Sequence, residues 1–226
     1  MNKNLQKAKW CENVILIDAD YVDRLAYLVI TNFEQILKRP LPSVDFAQWI
    51  EYVALDGGVN PIFPEENNNT TQQTQVILIR GKKKNRMENF VPSNIKADLN
   101  GKAFNGNLGE FLISAYPVEN IAGGENLLTE ILELLTTQEE VKRIMVITNV
   151  KNDRIYNNVR EALRNVDAKD KRVTVFVMSR MPANQLRKEN FREDILGFSV
   201  LSALGVKAEE VEIMMYEDEN NNQYYS

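Results

Sequence analysis

The chain has 226 residues, of which 44% are apolar and 26% charged, with a net charge of −5, enough apolar side chain for a sizeable core and too much for disorder to be the default. A single cysteine and no histidine exclude a disulfide framework, a Cys/His zinc site and every histidine-based triad or acid/base mechanism. A reducing compartment is expected, carboxylates must carry any catalysis, and any metal must be an oxygen-liganded ion such as magnesium or manganese.

The lysine-bearing start lacks the apolar stretch of a leader, and no run approaches the roughly 20 apolar residues of a membrane span. A cytoplasmic, soluble chain without membrane contact is predicted. Charge is uneven: residues 80–102 hold seven Lys/Arg against Glu88 and Asp98, whereas one lysine faces six acids from Lys207 onward. Pairing of these two regions between subunits makes a homo-oligomer one reading.

In chain order, Asn13 to Ile17 predicts a strand buried on both faces, since the run shows no polar alternation. Val22, Leu25, Ala26, Val29, Phe33, Ile36 and Leu37 recur at helical spacing until Pro40 and Pro42. A second helix is predicted from Ser43 as N-cap to the Gly57-Gly58 stop. Residues 59–75 form a polar, asparagine-rich connection expected to be a flexible loop. Val76 to Ile79 is a buried strand leading into Gly81-Lys82-Lys83-Lys84-Asn85-Arg86. Within residues 90–107, Gly101 and Gly106 suggest turns or a hairpin, and Phe111 to Tyr116 reads as a strand.

Alternation then becomes regular. It gives a helix over Asn126–Thr136, a strand over Arg143–Thr148, a helix over Arg154–Val166, a strand over Val173–Met178 and a helix from Phe191 to Leu204 stopped by Gly205. Glu209 to Tyr216 reads as an edge strand, and 217–226 as a disordered acidic tail. The sum is one α/β domain over 1–216, a mainly parallel sheet flanked by helices on both faces in a three-layer, Rossmann-like sandwich.

Polar residues at strand carboxyl ends are the candidates for chemistry, because parallel strands gather those ends on one edge. They are Asp18 and Asp20 after the first strand, Arg80 after the second, and Thr148, Asn149 and Asp153 after the Ile144–Ile147 run. Glu125, at the head of the Asn126 helix, could project to the same edge. Carboxylates around one or two magnesium or manganese ions would let water attack a phosphodiester. The same aspartates stand where helices favour N-caps, worth about 0.5–2 kcal/mol each, and Asp153 could cap its own helix. The run Arg80, Lys82, Lys83, Lys84 and Arg86 could neutralise nucleic-acid phosphates or be a solvated loop. It lacks the Ser/Thr and following helix of a P-loop, and no G-x-G-x-x-G follows the first strand. Cys11 has no histidine to activate it and reads as a packed side chain.

Ile15-Leu16-Ile17-Asp18-Ala19-Asp20, Gly123-Gly124-Glu125-Asn126-Leu127-Leu128, and Ile144 through Thr148-Asn149 to Asp153 follow one another in an order that resembles the NYN branch of the PIN-like metal-dependent ribonucleases. Asn184-Gln185-Leu186-Arg187 leading to Glu193-Asp194-Ile195 continues it. The resemblance implies a PIN-like fold, an RNA substrate, and a divalent ion held by Asp18, Glu125 and Asp153, with Asp20 assisting catalysis and Arg80 to Arg86, Thr148 and Asn149 holding substrate. Where that family carries a close Asp pair, this chain has Thr148-Asn149-Val150-Lys151, and Asn126 brings no charge beside Glu125. A non-catalytic PIN-like module binding nucleic acid or protein, or a self-associating protein, therefore stands as the alternative to a ribonuclease.

Overall fold

The computed structural model describes residues 9–61, 72–119, 121–178, 189–207 and 209–210. Strand β1 (Asn13–Asp18) lies at the centre of a seven-stranded sheet. It pairs in parallel with β3 (Gln73–Gly81) on one side and β7 (Arg143–Ile147) on the other. Its unbroken apolar run follows from that position. Ile15 and Ile17 enter one core, Val14 and Leu16 the opposite one, so both faces of the strand are dry.

The sheet order is β5-β6-β3-β1-β7-β8-β9, with β5 (Ala103–Gly106), β6 (Gly109–Val118), β8 (Arg172–Val177) and β9 (Arg192–Ile195). All neighbours are parallel except the β5–β6 hairpin. Helices α1 (Ala19–Leu37), α2 (Phe46–Asp56) and α5 (Leu196–Ala203) supply one core. Helices α3 (Ile121–Thr137) and α4 (Asp153–Leu163) supply the other. The α/β fold class, with helices on both faces of a mostly parallel sheet, is thus the one the alternation predicts. No helix among the described residues is long and apolar enough to cross a membrane.

Connectivity positions the site. The chain steps outward from β1 to β3 to β6, and α3 then carries it back past β1 to β7, so the carboxyl ends of β1, β3 and β6 stand side by side. The register puts Asp18 level with Ile79 and Ile79 level with Tyr116, so Arg80, Gly81 and Val118 extend beyond the end of β1.

Several boundaries differ from expectation. The N-cap of α2 is Asp45, whose Oδ1 accepts the Gln48 N–H at 2.9 Å, not Ser43. Val44–Asp45 forms strand β2, paired with β4 (Phe90–Val91), and this ladder is held by Phe90 packing 6.2 Å from Phe46 and 5.2 Å from Trp49. Within residues 90–107 lie a π-helical turn, Ile95–Leu99, and β5, the first arm of a hairpin of the kind Gly101 and Gly106 suggest. Helix α3 starts at Ile121 rather than Asn126 and runs through Gly123-Gly124. A Cβ at Gly124 would lie 3.3 Å from Val118 Cγ2, so glycine there permits close approach of helix to sheet.

At the far edge, the expected start of the last helix is instead β9, whose charged residues suit an edge position. Glu209 and Glu210 are helical rather than extended. Residues 62–71 of the expected 59–75 loop, the Asn184–Arg187 segment, the remainder of the predicted last strand and the 217–226 tail fall outside the described residues.

Candidate phosphate-binding site

The carboxyl ends of β1, β3 and β6 and the first turns of α3 enclose a cavity of about 230 Å³. Asp18, Asp20, Arg80, Lys82, Lys83, Lys84 and Glu125 all line it, so seven of the predicted site residues come together. Arg86, Thr148, Asn149 and Asp153 are not among its lining residues. Arg86 is turned to Ser93 Oγ at 2.7 Å and to Glu88 at 3.6 Å. Thr148 is buried and Asn149 half-buried after β7, and Asp153 is exposed in the first turn of α4.

Each acid of the cavity already has a partner. Asp18 is the N-cap of α1, its Oδ1 accepting the Tyr21 N–H at 2.9 Å. Burial raises its carboxyl above the usual range, opposed by the Tyr21 hydrogen bond and by Arg24, and reinforced by Asp20. Asp20 Oδ2 accepts the Gly81 N–H at 3.0 Å and lies 3.9 Å from Lys84 Nζ. Glu125 sits in the second turn of α3, not at its head, and faces Arg154 Nη2 at 3.5 Å.

Among the described residues no group of three or more Asp, Glu or Cys side chains could hold a metal, and the expected set of Asp18, Glu125 and Asp153 is not assembled. The cause is local: Asn152, not Asp153, caps α4, its Oδ1 accepting from Arg154 N at 3.0 Å and Ile155 N at 3.4 Å. Winding of the helix from that cap leaves Asp153 on the outer surface.

The basic side is organised by Arg80. Arg80 is almost wholly buried, at 8% exposure, and its Nη1 donates to the carbonyls of Gly81 at 3.2 Å, Lys82 at 3.3 Å and Lys84 at 2.9 Å. Three carbonyls gathered by one cation fix the turn from which the lysines project. Arg80 Nε is buried without a hydrogen-bond partner, and among the described residues no carboxylate forms an ion pair with Arg80. Lys82 Nζ pairs with Glu119 at 2.6 Å.

Two charged lining residues, Arg24 and Glu119, are absent from the candidates that the sequence suggests. Arg24 stands four residues after Asp20 on α1, a spacing that shares one helix face. Glu119 directly follows β6, and a strand taken to end at Tyr116 stops short of it. Cys11 is free and half-buried, and burial pushes its thiol up, away from the reactive thiolate.

The arrangement suits anion capture more than hydrolysis: a preorganised basic turn over a small cavity, with its carboxylates held by internal partners. No curated protein and no solved structure matches the chain. The family model described as Family of unknown function (DUF6621) matches residues 7–211, and the chain belongs to that family.

Proposed function

We propose that this chain is a non-catalytic, PIN-like module that binds single-stranded RNA through phosphate contacts at the Arg80 turn. The observation that carries the reading is the triple carbonyl staple from Arg80 Nη1, which holds Lys82, Lys83 and Lys84 at the mouth of the cavity before any ligand arrives. Preorganised cations bind phosphate without the cost of ordering the loop that carries them. An RNA ligand goes with a cytoplasmic location, which we propose with it.

The ribonuclease reading draws on one specific feature, the sharing of the cavity by Asp18, Asp20 and Glu125. It requires these acids to leave the Tyr21 N–H, the Gly81 N–H and Arg154 in favour of a divalent ion. The non-catalytic reading leaves those three contacts in place.

Retention of single-stranded RNA as a function of salt tests the proposal. Binding should weaken with rising salt, and replacing Lys82, Lys83 and Lys84 by Gln should lower the log–log slope by about 0.7 for each phosphate that is no longer neutralised. Salt-independent retention, or retention unchanged in the triple variant, counts against it. Thermal melting with millimolar magnesium or manganese separates the two readings, because an ion bound only by the folded state raises the melting temperature. The non-catalytic module should show no such rise and no RNA cleavage.

A further inference from the structure

We infer that the Arg80 cavity recognises the terminal phosphomonoester of a single-stranded nucleic acid rather than a phosphodiester within the strand. This rests on the RNA-binding reading above and adds which phosphate the site takes.

Charge exchange at the lysines favours the monoester. Lys82 and Lys84 are each balanced by an acid of the protein, Glu119 at 2.6 Å and Asp20 at 3.9 Å. A ligand that draws both lysines to itself separates two ion pairs. An internal phosphodiester brings one negative charge to that exchange, whereas a terminal phosphomonoester brings about 1.5–2 at neutral pH. Only the monoester replaces the two carboxylates nearly charge for charge. Lys83, which makes no ion pair among the described residues, is available without any exchange.

The number of free phosphate oxygens adds to this preference. Nη1 of Arg80 holds three carbonyls and so fixes the turn that brings Lys82, Lys83 and Lys84 to one mouth. A terminal phosphate presents three oxygens free of ester linkage, one more than an internal phosphate can offer.

Size points the same way. At about 230 Å³ the cavity falls below the roughly 300–1,000 Å³ of sites that enclose whole drug-sized ligands. It accommodates an end group, with the rest of the strand outside against the exposed lysines.

The test uses one RNA sequence in four forms at a single salt concentration: phosphorylated at the 5′ end, phosphorylated at the 3′ end, hydroxyl-ended, and closed into a circle. Anisotropy titrations with the full chain should show one phosphorylated form binding about tenfold tighter than the hydroxyl-ended and circular forms. Glu119→Gln frees Lys82 and should tighten that form selectively, while Lys83→Gln should weaken it. Both positions are exposed, so these variants carry the test even if Arg80→Gln, which removes a buried staple, does not fold. Equal binding of all four RNAs overturns end recognition and leaves the RNA-binding reading standing. A melting shift with a nucleoside monophosphate but no binding of any RNA overturns the nucleic-acid reading and assigns the cavity to a small phosphomonoester. No response to either overturns both.

Discussion

Asp20 Oδ2 accepts the backbone N–H of Gly81 at 3.0 Å, tying the first turn of α1 to the end of β3 across 61 residues of sequence. The bond holds the origin of the basic turn against the neighbouring strand end. Asp20→Ala leaves a partly buried N–H without its acceptor and should cost about 1–2 kcal/mol, read as a lower urea midpoint at unchanged m-value. Asp20→Asn keeps an acceptor and should recover most of that loss. If the alanine variant is as stable as the parent, the strand end is held by something other than this bond.

The N-cap role of Asp18 predicts a different pattern. Asp18→Ala should cost about 1 kcal/mol because the Tyr21 N–H loses its acceptor, and Asp18→Asn or Asp18→Ser much less, because either retains a capping oxygen. Were Asp18 chiefly a metal ligand, the asparagine variant would lose a metal-dependent rise in melting temperature. Thermal melts of the three variants with and without manganese distinguish these outcomes.

Asp56 gives the chain a pH-dependent contribution to stability. Burial, reinforced by Asp194 and opposed by Arg192, raises its carboxyl from the ordinary 3.8 to about 6. It also ends α2, where the helix dipole disfavours negative charge. For an acid whose folded pKa is raised, the contribution is complete below the unfolded value of 3.8 and is lost as pH climbs through about 6. Allowing for solvent screening of a half-buried group, Asp56→Asn should gain about 1 kcal/mol at pH 8. That advantage should vanish in acid below the unfolded pKa, and urea melts across the pH range would show it. A constant difference at all pH values would mean that the substitution acts through packing.

Two glycines of similar backbone conformation should respond very differently to alanine. Gly109 has φ +108° and its Cβ would come 2.2 Å from the Gln72 carbonyl oxygen, whereas Gly101 has φ +72° with nothing within 4 Å. Gly101→Ala should lose only about 1–2 kcal/mol of left-handed strain. Gly109→Ala adds a backbone clash at the point where Glu110 N donates to Gln72 O at 2.9 Å, so roughly 3 kcal/mol or more is expected. Denaturant melts of the pair measure the difference, and equal losses would place the strain in the dihedral alone.

Which of these features could be read from the chain follows from how local each one is. The Ile15–Asp20 stretch announces β1 and the start of α1, since apolar run, acid and helical spacing all lie within a few residues. Strands β3 and β6 run longer than their apolar centres because polar Gln73 and Gly109 are drawn into pairing by neighbours. Strand β9 is concealed by Arg192, Glu193 and Asp194, whose extended form comes from pairing with β8 rather than from propensity. Parallel strand ends share one edge, so the cavity's acids and lysines are legible as candidates. Their pairing is not, because the partners of Asp20 and Glu125 come from β3 and α4, far away in sequence.

Asn152 and Asp153 provide a compact test of that distinction. By composition alone, either residue could begin α4. The structure gives the cap to Asn152, which accepts two backbone N–H groups, and leaves Asp153 exposed with only the favourable location of an acid in a first turn. Asn152→Ala should therefore cost about 1 kcal/mol, against about 0.3–1 kcal/mol for Asp153→Ala, and the latter loss should shrink in salt as a dipole interaction does. RNA retention should be unchanged by Asp153→Asn, because that carboxylate does not line the Arg80 cavity. Weakened retention in Asp153→Asn with unaltered stability would return Asp153 to the site and reopen the ribonuclease reading.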